Sequence, residues 1–296
     1  MTNILSQDHL LFPEILWKRP QNIYKRQCGK ILIIAGSLGM AGAAALATEA
    51  AFRSGAGIVI LAFPDSIKDI YKKILPEAMS LELPSTPSGS ISFKAYEKIK
   101  NNLSDIDVVA LGPGLSRNSE TGKLILKLIK KIEIPLIIDA DGLNALIGNL
   151  EVITKRSSPT IITPHPGELG RLIDKKPEEI NKDRLKIALS TANQFNTITV
   201  LKGYETVIAE PSDRVVINKT GGSELATAGT GDVLVGIIAT FVAQNLKKIF
   251  EATSTAVYIH GLAGNLAAQK IGTRSVIASD IIKYLPKAIK LTEKNL

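Results

Sequence analysis

A glycine-rich turn followed by one aspartate is the stretch of this sequence best suited to chemistry. Residues 228–232 read Ala-Gly-Thr-Gly-Asp and run into residues 233–243, whose apolar composition and length predict a buried helix. Such a turn points free backbone N–H groups at whatever lies above the helix start, where the helix dipole adds positive charge. Glycine also lets a phosphate approach the backbone without meeting a Cβ. The turn therefore predicts an anion site.

Asp232 has two interpretations. Aspartate is a common helix cap, and the glycines could serve only a tight loop. A carboxylate is nevertheless unexpected in a site that only binds anions. Its presence is explained if Asp232 accepts the proton of a hydroxyl group while the N–H groups of Gly229, Thr230 and Gly231 hold a phosphoryl group in transfer. These four are the candidate catalytic residues, although the isolated motif leaves both interpretations open.

Other glycine and polar residues follow predicted strands, where open α/β sheets bind ligands. Residues 36–42 place glycines with the spacing G-x-x-G-x-x-G, which differs from the dinucleotide fingerprint. Gly112-Pro113-Gly114 could expose backbone to a ligand or could be only a tight turn. His165 lies between two prolines that fix its backbone, which favours contact with a ligand over burial in the core.

Asp139 and Asp141 also follow a buried strand. One of them could cap the following short helix, and either could lie near Mg²⁺ through water, because this ion tends to keep its own water ligands. We therefore assign no residue as a direct metal ligand.

The elements that must position these residues alternate along the chain. Strands are predicted at residues 30–35, 58–62, 107–111, 135–138, 160–163 and 198–201, with helices between them, one of which is a single long helix at 177–195. Residues 207–209 and 215–218 indicate an antiparallel hairpin at the sheet edge. The alternation predicts a three-layer α/β/α fold with a mostly parallel central sheet. We expect residues 1–29 to be an extension, packed on the main body or on another subunit, and residues 30–296 to form a single domain.

Composition narrows the class of protein further. Hydrophobic residues make up 45% of the 296, which is enough for a substantial core, and the low aromatic share of 5% suits parallel strands covered by helices. The net charge of +8 is spread over helical segments without interleaved aromatic residues. We therefore expect no nucleic-acid partner, and explain the charge by solvated faces and an anionic small-molecule substrate.

Three features predict a cytoplasmic location and no membrane partner. The single cysteine, Cys28, excludes an intrachain disulfide and fits a reducing cytosol. The N-terminus lacks the basic start and apolar run of a signal peptide. No apolar run reaches the length of a membrane span.

Six motifs in series resemble the ADP-dependent NAD(P)H-hydrate dehydratases of the ribokinase-like superfamily. They are GSLGMAG at 36–42, LGPG at 111–114, IDADGLN at 138–144, TPHPGE at 163–168, VLKG at 200–203 and ATAGTGD at 226–232. The similarity extends from about residue 30 to residue 268, with every motif in the family's order. With all six present, the capping interpretation of Asp232 loses its support.

The resemblance implies a ribokinase-like fold and a repair reaction. The S form of hydrated NADH or NADPH would return to the working cofactor by phosphorylation of its ring hydroxyl and loss of phosphate. ADP, or alternatively ATP, would be the co-substrate together with Mg²⁺. Asp232 would take the hydroxyl proton, although an ionised aspartate at a helix N-terminus is a weak base.

The resemblance also assigns binding residues. Those matching the family's contacts to the hydrated nucleotide are Ala43, Gly114, His165 and Asp232. Those matching its adenine-nucleotide contacts are Lys202, Gly203, Tyr204, Glu205, Thr206 and Gly231. Two segments depart from the family pattern: GSEL at 222–225 replaces an Asn-Pro-Gly-Met type of sequence, and YKRQC at 24–28 stands where His-Lys-Gly is usual. Both bear on nucleotide preference more than on reaction type.

Two further expectations concern partners. The family often carries an N-terminal epimerase domain, and the residues before the first predicted strand are too few for one, so a separate epimerase is expected to interconvert the R and S hydrates. The family also implies a homo-oligomer, often a tetramer. Two alternative functions remain: a kinase for a hydroxymethylpyrimidine, thiazole or pyridoxal type of alcohol, and a catalytically silent adenine-nucleotide sensor.

Overall fold

A computed structural model describes residues 2–293, apart from the side chains of residues 72 and 73. The strands of this part of the chain are β1 (Asn3–Gln7), β2 (Lys30–Ile34), β3 (Ile58–Pro64), β4 (Met79–Leu83), β5 (Val108–Leu111), β6 (Leu136–Ile138), β7 (Thr160–Ile162), β8 (Ile198–Leu201), β9 (Val207–Ala209) and β10 (Arg214–Asn218). They join in one sheet in the order β1-β10-β9-β8-β7-β6-β5-β2-β3-β4. Neighbouring strands are parallel, except that β9 is antiparallel to both β8 and β10.

Helices connect most of the strands. They are α1 (Ala41–Arg53), α2 (Lys68–Ile74), α3 (Tyr96–Lys100), α4 (Ser119–Lys131), α5 (Asp141–Ala145), α6 (Glu151–Thr154), α7 (Pro166–Ile173), α8 (Pro177–Lys182), α9 (Arg184–Phe195), α10 (Thr230–Gln244), α11 (Ile249–Ile271) and α12 (Ala278–Glu293). Within residues 2–293, no helix combines the length and the apolar character that a membrane crossing needs.

The sheet has a hydrophobic core on each face. Side chains alternate along a strand, so Ile31 and Ile33 of β2 enter one core while Leu32 and Ile34 enter the other. Helices α1, α10, α11 and α12 cover the first face. On the second face, α3 and α4 cover one part of the sheet, and α7, α8 and α9 pack over β8, β9 and β10. Burial on both faces explains why the strands are continuous aliphatic runs. The three-layer arrangement and the mostly parallel sheet predicted from the sequence are confirmed.

The strand order reverses at β2. The chain proceeds from β2 to β3 and β4 on one side, and then returns to β5 on the other side before continuing through β6, β7 and β8. The connections therefore diverge above the carboxyl ends of β2 and β5, which opens a crevice at that point. Two backbone hydrogen bonds join its walls, from Gly36 N to Pro113 O (2.8 Å) and from Gly112 N to Ile34 O (3.2 Å). Two of the predicted glycine motifs thus meet at the crevice.

The N-terminal extension packs on the main body through β1. This strand pairs in parallel with β10, with Leu5 opposite Val216, so the outermost strand is β1 and the β9–β10 hairpin lies inside it. Gln7 at its end is fully buried, and its Nε2 donates a hydrogen bond to Ser254 O (3.1 Å). The sequence of β1, NILSQ, carries too weak an alternation to predict a strand.

The single long helix predicted at residues 177–195 is wrong. Two helices, α8 and α9, occupy this stretch, and the backbone between them bends at Asp183. The Asp183 side chain accepts a hydrogen bond from Lys186 N (3.2 Å) and caps α9. Apolar periodicity continues across the break, which is why the pattern alone predicted one helix.

Candidate active site

The N-terminus of α10 has the geometry of an anion site. Gly229 occupies the N-cap with φ of 90°, a left-handed conformation that favours glycine, and a Cβ there would lie 2.6 Å from Leu46 Cδ1. Thr230 Oγ1 donates to Leu225 O (3.0 Å) and Thr227 O (3.1 Å), which fixes the preceding turn. The first N–H groups of a helix have no partner within it, so those at this turn remain available to a ligand.

Asp232 lies in the first turn of α10, inside the N-cap, so it is not the capping residue. Its side chain is largely buried. Burial raises the pKa of Asp232 to about 7, with the Asp139 and Glu168 carboxylates acting in the same direction and Lys202 opposing them. The sequence predicts a weakly basic aspartate. In the structure, the pKa of the Asp232 carboxyl group instead suits proton transfer near neutral pH.

A lysine and two carboxyl groups lie beside Asp232. Lys202 Nζ donates to Asp139 Oδ1 (2.7 Å) and lies 3.8 Å from Glu168 Oε2. Thr163 Oγ1 donates to the same Asp139 oxygen (2.6 Å). Asp139, Thr163 and Lys202 each follow one of the adjacent parallel strands β6, β7 and β8, whose carboxyl ends meet at one edge of the sheet.

Lys202 remains charged within this cluster. Burial alone would lower the pKa of its ammonium group, but the carboxylates of Asp139, Glu168 and Asp232 outweigh burial and raise it. A Cβ placed on Gly231 would lie 3.3 Å from Lys202 Nζ, so the glycine leaves room for the lysine beside the helix start. The anion site therefore has a fixed cation next to its N–H groups.

His165 is the N-cap of α7. Its Nδ1 accepts a hydrogen bond from Gly167 N (3.0 Å), and its backbone N donates to Glu168 Oε2 (2.9 Å). The ring is half-exposed, as its position between two prolines predicted. Burial of the remainder lowers the pKa of His165, which favours the neutral ring at neutral pH. Glu168 links His165 to Lys202 and so to Asp232.

A cavity of about 370 Å³ lies beside the start of α10. Of the residues predicted to bind adenine nucleotide, Lys202, Gly203, Tyr204, Thr206 and Gly231 line it. Glu205 is exposed, with φ of 52°, and does not line the cavity. The structure therefore brings five of these six residues together around one space.

Two of the residues predicted to bind the hydrated nucleotide meet at the crevice above β2 and β5. A Cβ on Gly114 would lie 3.1 Å from Ala43 Cβ and 2.8 Å from Met40 O, so only glycine allows this close approach. His165 follows β7, two strands along the same edge of the sheet from β5. Asp232 completes the set from α10, which packs over β2, β5 and β6.

The departure at residues 222–225 forms part of the cavity wall. Three residues of this segment line the cavity: Gly222, Ser223 and Leu225. Glu224 does not line it and is buried, with 7% of its surface exposed. Glu224 Oε1 accepts a hydrogen bond from Gly222 N (2.7 Å), which closes the turn. The segment therefore lies where it can affect nucleotide preference.

The side chains of the described residues do not form a metal cage of their own. Among residues 2–293, no group of three or more His, Cys, Asp or Glu is placed to hold a metal ion. Asp139 is engaged by Lys202 and Thr163, and Asp141 accepts hydrogen bonds from Ser116 N (2.8 Å) and Asn144 Nδ2 (3.1 Å). This donor set fits Mg²⁺ carried by nucleotide phosphates and water.

Some residues of the site were not assigned from the sequence. The sequence motifs assign no role to Glu168 and suggest only a metal contact for Asp139. Neither Thr163 nor His260, which lines the cavity from α11, was assigned a role. Asp139 and Thr163 could have been found from their positions directly after buried strands, whereas the sequence around His260 gives no such signal.

The fold and the glycine turn place the chain among the ribokinase-like proteins. A ribokinase-like superfamily protein from Enterococcus faecalis superposes with a TM-score of 0.81 at 26% identity, covering 98% of this chain and 96% of that one. A hydroxyethylthiazole kinase from Pyrococcus horikoshii, at 14% identity and a TM-score of 0.60, shares the fold alone.

The chain belongs to the NAD(P)H-hydrate dehydratase family. The family model of that description matches residues 31–287. An ADP/ATP-dependent NAD(P)H-hydrate dehydratase from Bacillus subtilis, co-crystallised with ATP and Mg²⁺, is 30% identical with a TM-score of 0.80, covering 93% of this chain and 94% of that chain.

Curated relatives named bifunctional NAD(P)H-hydrate repair enzyme are similar as well. The protein from Moorella thermoacetica is 40% identical over 279 residues, and that from Escherichia coli is 34% identical over 284 residues. Each alignment covers 94% of this chain and 52% of the relative. The chain thus spans about half the length of these relatives.

Proposed function

We propose that this protein uses ADP to dehydrate the S form of NADH hydrate or NADPH hydrate to the working cofactor. The observation that carries the proposal is the position of Asp232. Its carboxyl group, with a pKa of about 7, lies at the helix start that borders the nucleotide cavity. Membership of the dehydratase family supports the same reaction.

The first step is a phosphoryl transfer. Asp232 takes the proton of the ring hydroxyl, whose oxygen forms a bond to the terminal phosphorus of ADP as the bond to AMP breaks. The N–H groups of Gly229, Thr230 and Gly231, together with the Lys202 ammonium, stabilise the charge on the phosphoryl oxygens. AMP leaves the nucleotide cavity as the by-product.

The second step is an elimination. The carbon–oxygen bond to the new phosphate ester breaks, phosphate departs with the bonding electrons, and loss of a proton from the adjacent carbon restores the ring double bond. The sum of both steps converts the hydrate and ADP into NADH or NADPH, AMP and inorganic phosphate. Ala43, Gly114 and His165 would hold the hydrated nucleotide at the strand ends during both steps.

Mg²⁺ would enter with the nucleotide and neutralise charge on its phosphates. Asp139 and Asp141 already accept hydrogen bonds from Lys202 and Ser116, which is consistent with an ion held by the phosphates and by water. A chelator in excess over Mg²⁺ should therefore abolish turnover while leaving the folded protein intact by circular dichroism.

The decisive assay supplies purified protein with S-NADH hydrate, ADP and Mg²⁺, and follows recovery of the NADH absorbance band together with the release of AMP. Replacing ADP by ATP, and NADH hydrate by NADPH hydrate, measures both preferences. No recovery with either nucleotide would exclude the dehydratase. A stable phosphorylated alcohol as product would instead favour the kinase alternative, and ADP binding without turnover of any hydrate would favour the sensor.

A separate epimerase would supply the S hydrate from the R form. With a mixture of R and S hydrates, this protein alone should convert only the S fraction, and addition of an epimerase should allow conversion to continue. Conversion of both hydrates by the protein alone would argue against the need for an epimerase.

We further propose that the protein is a cytoplasmic homo-oligomer. Cell fractionation tests the location, and analytical sedimentation tests the subunit number, with a tetramer as the expected species.

A further inference from the structure

The turn between β8 and β9 carries most of the residues expected to bind the adenine nucleotide. It comprises residues 202–206, of which those that line the cavity are Lys202, Gly203, Tyr204 and Thr206. At the start of the turn, Lys202 N donates to Pro164 O (2.9 Å). At its end, Thr206 O accepts from Asn218 N (2.9 Å). The middle of the turn lies between these two anchors.

Arg184, at the start of α9, lies against this turn without lining the cavity. Its Nη2 atom donates a hydrogen bond to Leu201 O (2.8 Å), the carbonyl group directly before the turn. Its Nη1 atom donates to Asn181 Oδ1 (3.2 Å) on α8. The guanidinium group is therefore held between α8 and the end of β8.

Gly203 leaves room for the arginine in the middle of the turn. A Cβ on Gly203 would lie 2.9 Å from Arg184 Nη1 and 3.0 Å from Arg184 Nη2. The φ of Gly203 is 144°, a conformation that also favours glycine. The guanidinium group thus packs directly on the backbone of the turn, on atoms that border the nucleotide cavity.

Arg184 brings a positive charge to this contact. Burial lowers the pKa of Arg184, and the carboxylate of Glu205 in the same turn acts in the opposite direction. A guanidinium group keeps its charge at neutral pH, so its hydrogen bond to Leu201 O is stronger than one between neutral groups. Its planar set of donors is also suited to fixing the position of a backbone segment.

We propose that Arg184 is a positioning residue for the adenine nucleotide: it holds the β8–β9 turn in the conformation that binds ADP. The inference rests on the proposed nucleotide site. A turn that is ordered before the ligand arrives lowers the entropic cost of binding, so Arg184 increases the affinity for ADP without touching it.

The effect should be confined to nucleotide binding. Lys202, which contributes charge beside Asp232, has anchors of its own, through its backbone to Pro164 and through Nζ to Asp139. Loss of the arginine therefore leaves the cation of the anion site in place. The KM for ADP should change, whereas kcat and the KM for the hydrated nucleotide should not.

The test compares Arg184→Met, which removes both hydrogen bonds, with Arg184→Lys, which keeps the charge and one donor. Lys186→Met is the matched control, because it makes the same change of charge at an exposed position of the same helix. Calorimetry measures the Kd for ADP in the absence of any hydrate. Steady-state kinetics measures kcat and the KM for ADP and for S-NADH hydrate, and circular dichroism checks that each variant is folded.

Arg184→Met should raise the Kd and the KM for ADP about tenfold, the scale of one lost hydrogen bond to a charged group. Arg184→Lys should give a smaller rise, and Lys186→Met should match the wild type. A folded protein that is only less stable would keep its Kd, so a selective change for ADP distinguishes positioning from stabilisation.

An unchanged Kd for ADP in folded Arg184→Met would overturn the inference, and so would an equal rise in the KM for the hydrate. If Arg184→Met does not fold, the Kd of Arg184→Lys decides in the same way. Failure of the proposed function gives a different pattern: ADP binds with the expected dependence on Arg184, but no hydrated nicotinamide nucleotide is turned over. If the wild type binds no ADP, the role of Arg184 is overturned together with the nucleotide site.

Discussion

The surroundings of Asp232 give its carboxyl group the raised pKa that the proposed role of base requires. An aspartate in the first turn of a helix is normally stabilised in its charged form by the helix dipole. Here burial and the carboxylates of Asp139 and Glu168 outweigh that effect and raise its pKa to about 7. Lys202 limits the rise, because it balances part of the negative charge of the cluster. The same groups thus set both the basicity of Asp232 and the charge of the anion site.

The first prediction concerns turnover. Asp232→Asn should bind ADP with a Kd close to that of the wild type but lower kcat by at least about a hundredfold, because the amide cannot accept the hydroxyl proton. In the wild type, kcat/KM should rise with pH through about 7 as Asp232 loses its proton. Measurement of the wild type and of Asp232→Asn between pH 5 and pH 9 checks this prediction. Retained activity in the variant would remove Asp232 from the role of base.

The second prediction concerns stability. The folded-state pKa of Asp232 lies above its unfolded value, so its protonated form favours folding below about pH 4, and this advantage is lost as the pH rises through about 7. One pKa unit corresponds to about 1.4 kcal/mol. Asp232→Asn should therefore match the wild type in free energy of unfolding at pH 4 and exceed it by roughly 2–4 kcal/mol at pH 8. Urea unfolding at both pH values measures the difference, and a constant difference would contradict the assigned pKa.

At the scale of elements, the position of Asp232 depends on how α10 packs against α1. Gly236 lies one turn beyond Asp232, where a Cβ would be 2.1 Å from Ala47 O and 3.0 Å from Ala50 Cβ. The two helix backbones therefore approach closely, and this contact fixes the height of the α10 N-terminus above the sheet. A residue with no direct contact to substrate thus positions the anion site.

The third prediction tests this contact. Gly236→Ala should destabilise the protein by about 1–3 kcal/mol, because the added methyl group forces the two helices apart, and should also lower kcat. Gly122→Ala in α4 is the matched control, since a Cβ there meets nothing within 4 Å. That change should raise the free energy of unfolding by about 0.5–1 kcal/mol. If both variants behave alike in unfolding and turnover, the packing argument is wrong.

For the whole molecule, residues from distant parts of the sequence complete a single sheet. Strand β1 lies beside β10, although more than 200 residues separate Leu5 from Val216 along the chain. It covers the N–H and C=O groups on the outer side of β10, which would otherwise form an open edge. Gln7 ties the end of this strand to α11 through Ser254.

The fourth prediction concerns this edge. Deletion of residues 2–7 should lower the free energy of unfolding by roughly 1–3 kcal/mol and should promote aggregation, because β10 would become an unpaired edge strand. Ile4→Lys is the control, since Ile4 is 49% exposed and the substitution leaves the backbone pairing intact. Chemical denaturation and light scattering of both variants provide the measurements. Unchanged stability after the deletion would show that β1 contributes no net stabilisation.

The sequence by itself determined the local features of this protein. Strands buried on both faces favour aliphatic runs, and turns with positive φ favour glycine, so strands β2 and β5 and the Gly229 turn could be predicted from residue types. The six motifs are local features as well, since each occupies a few consecutive positions. They could therefore indicate the family from the sequence alone.

Only the tertiary structure decided the properties that depend on distant residues. The pKa of Asp232 follows from its burial and from carboxylates at residues 139 and 168, on other elements. Likewise, β1 is a strand because β10 lies beside it, and its own pattern is too weak to predict one. Charge interactions and strand pairing act through space, and a local pattern contains no information about such neighbours.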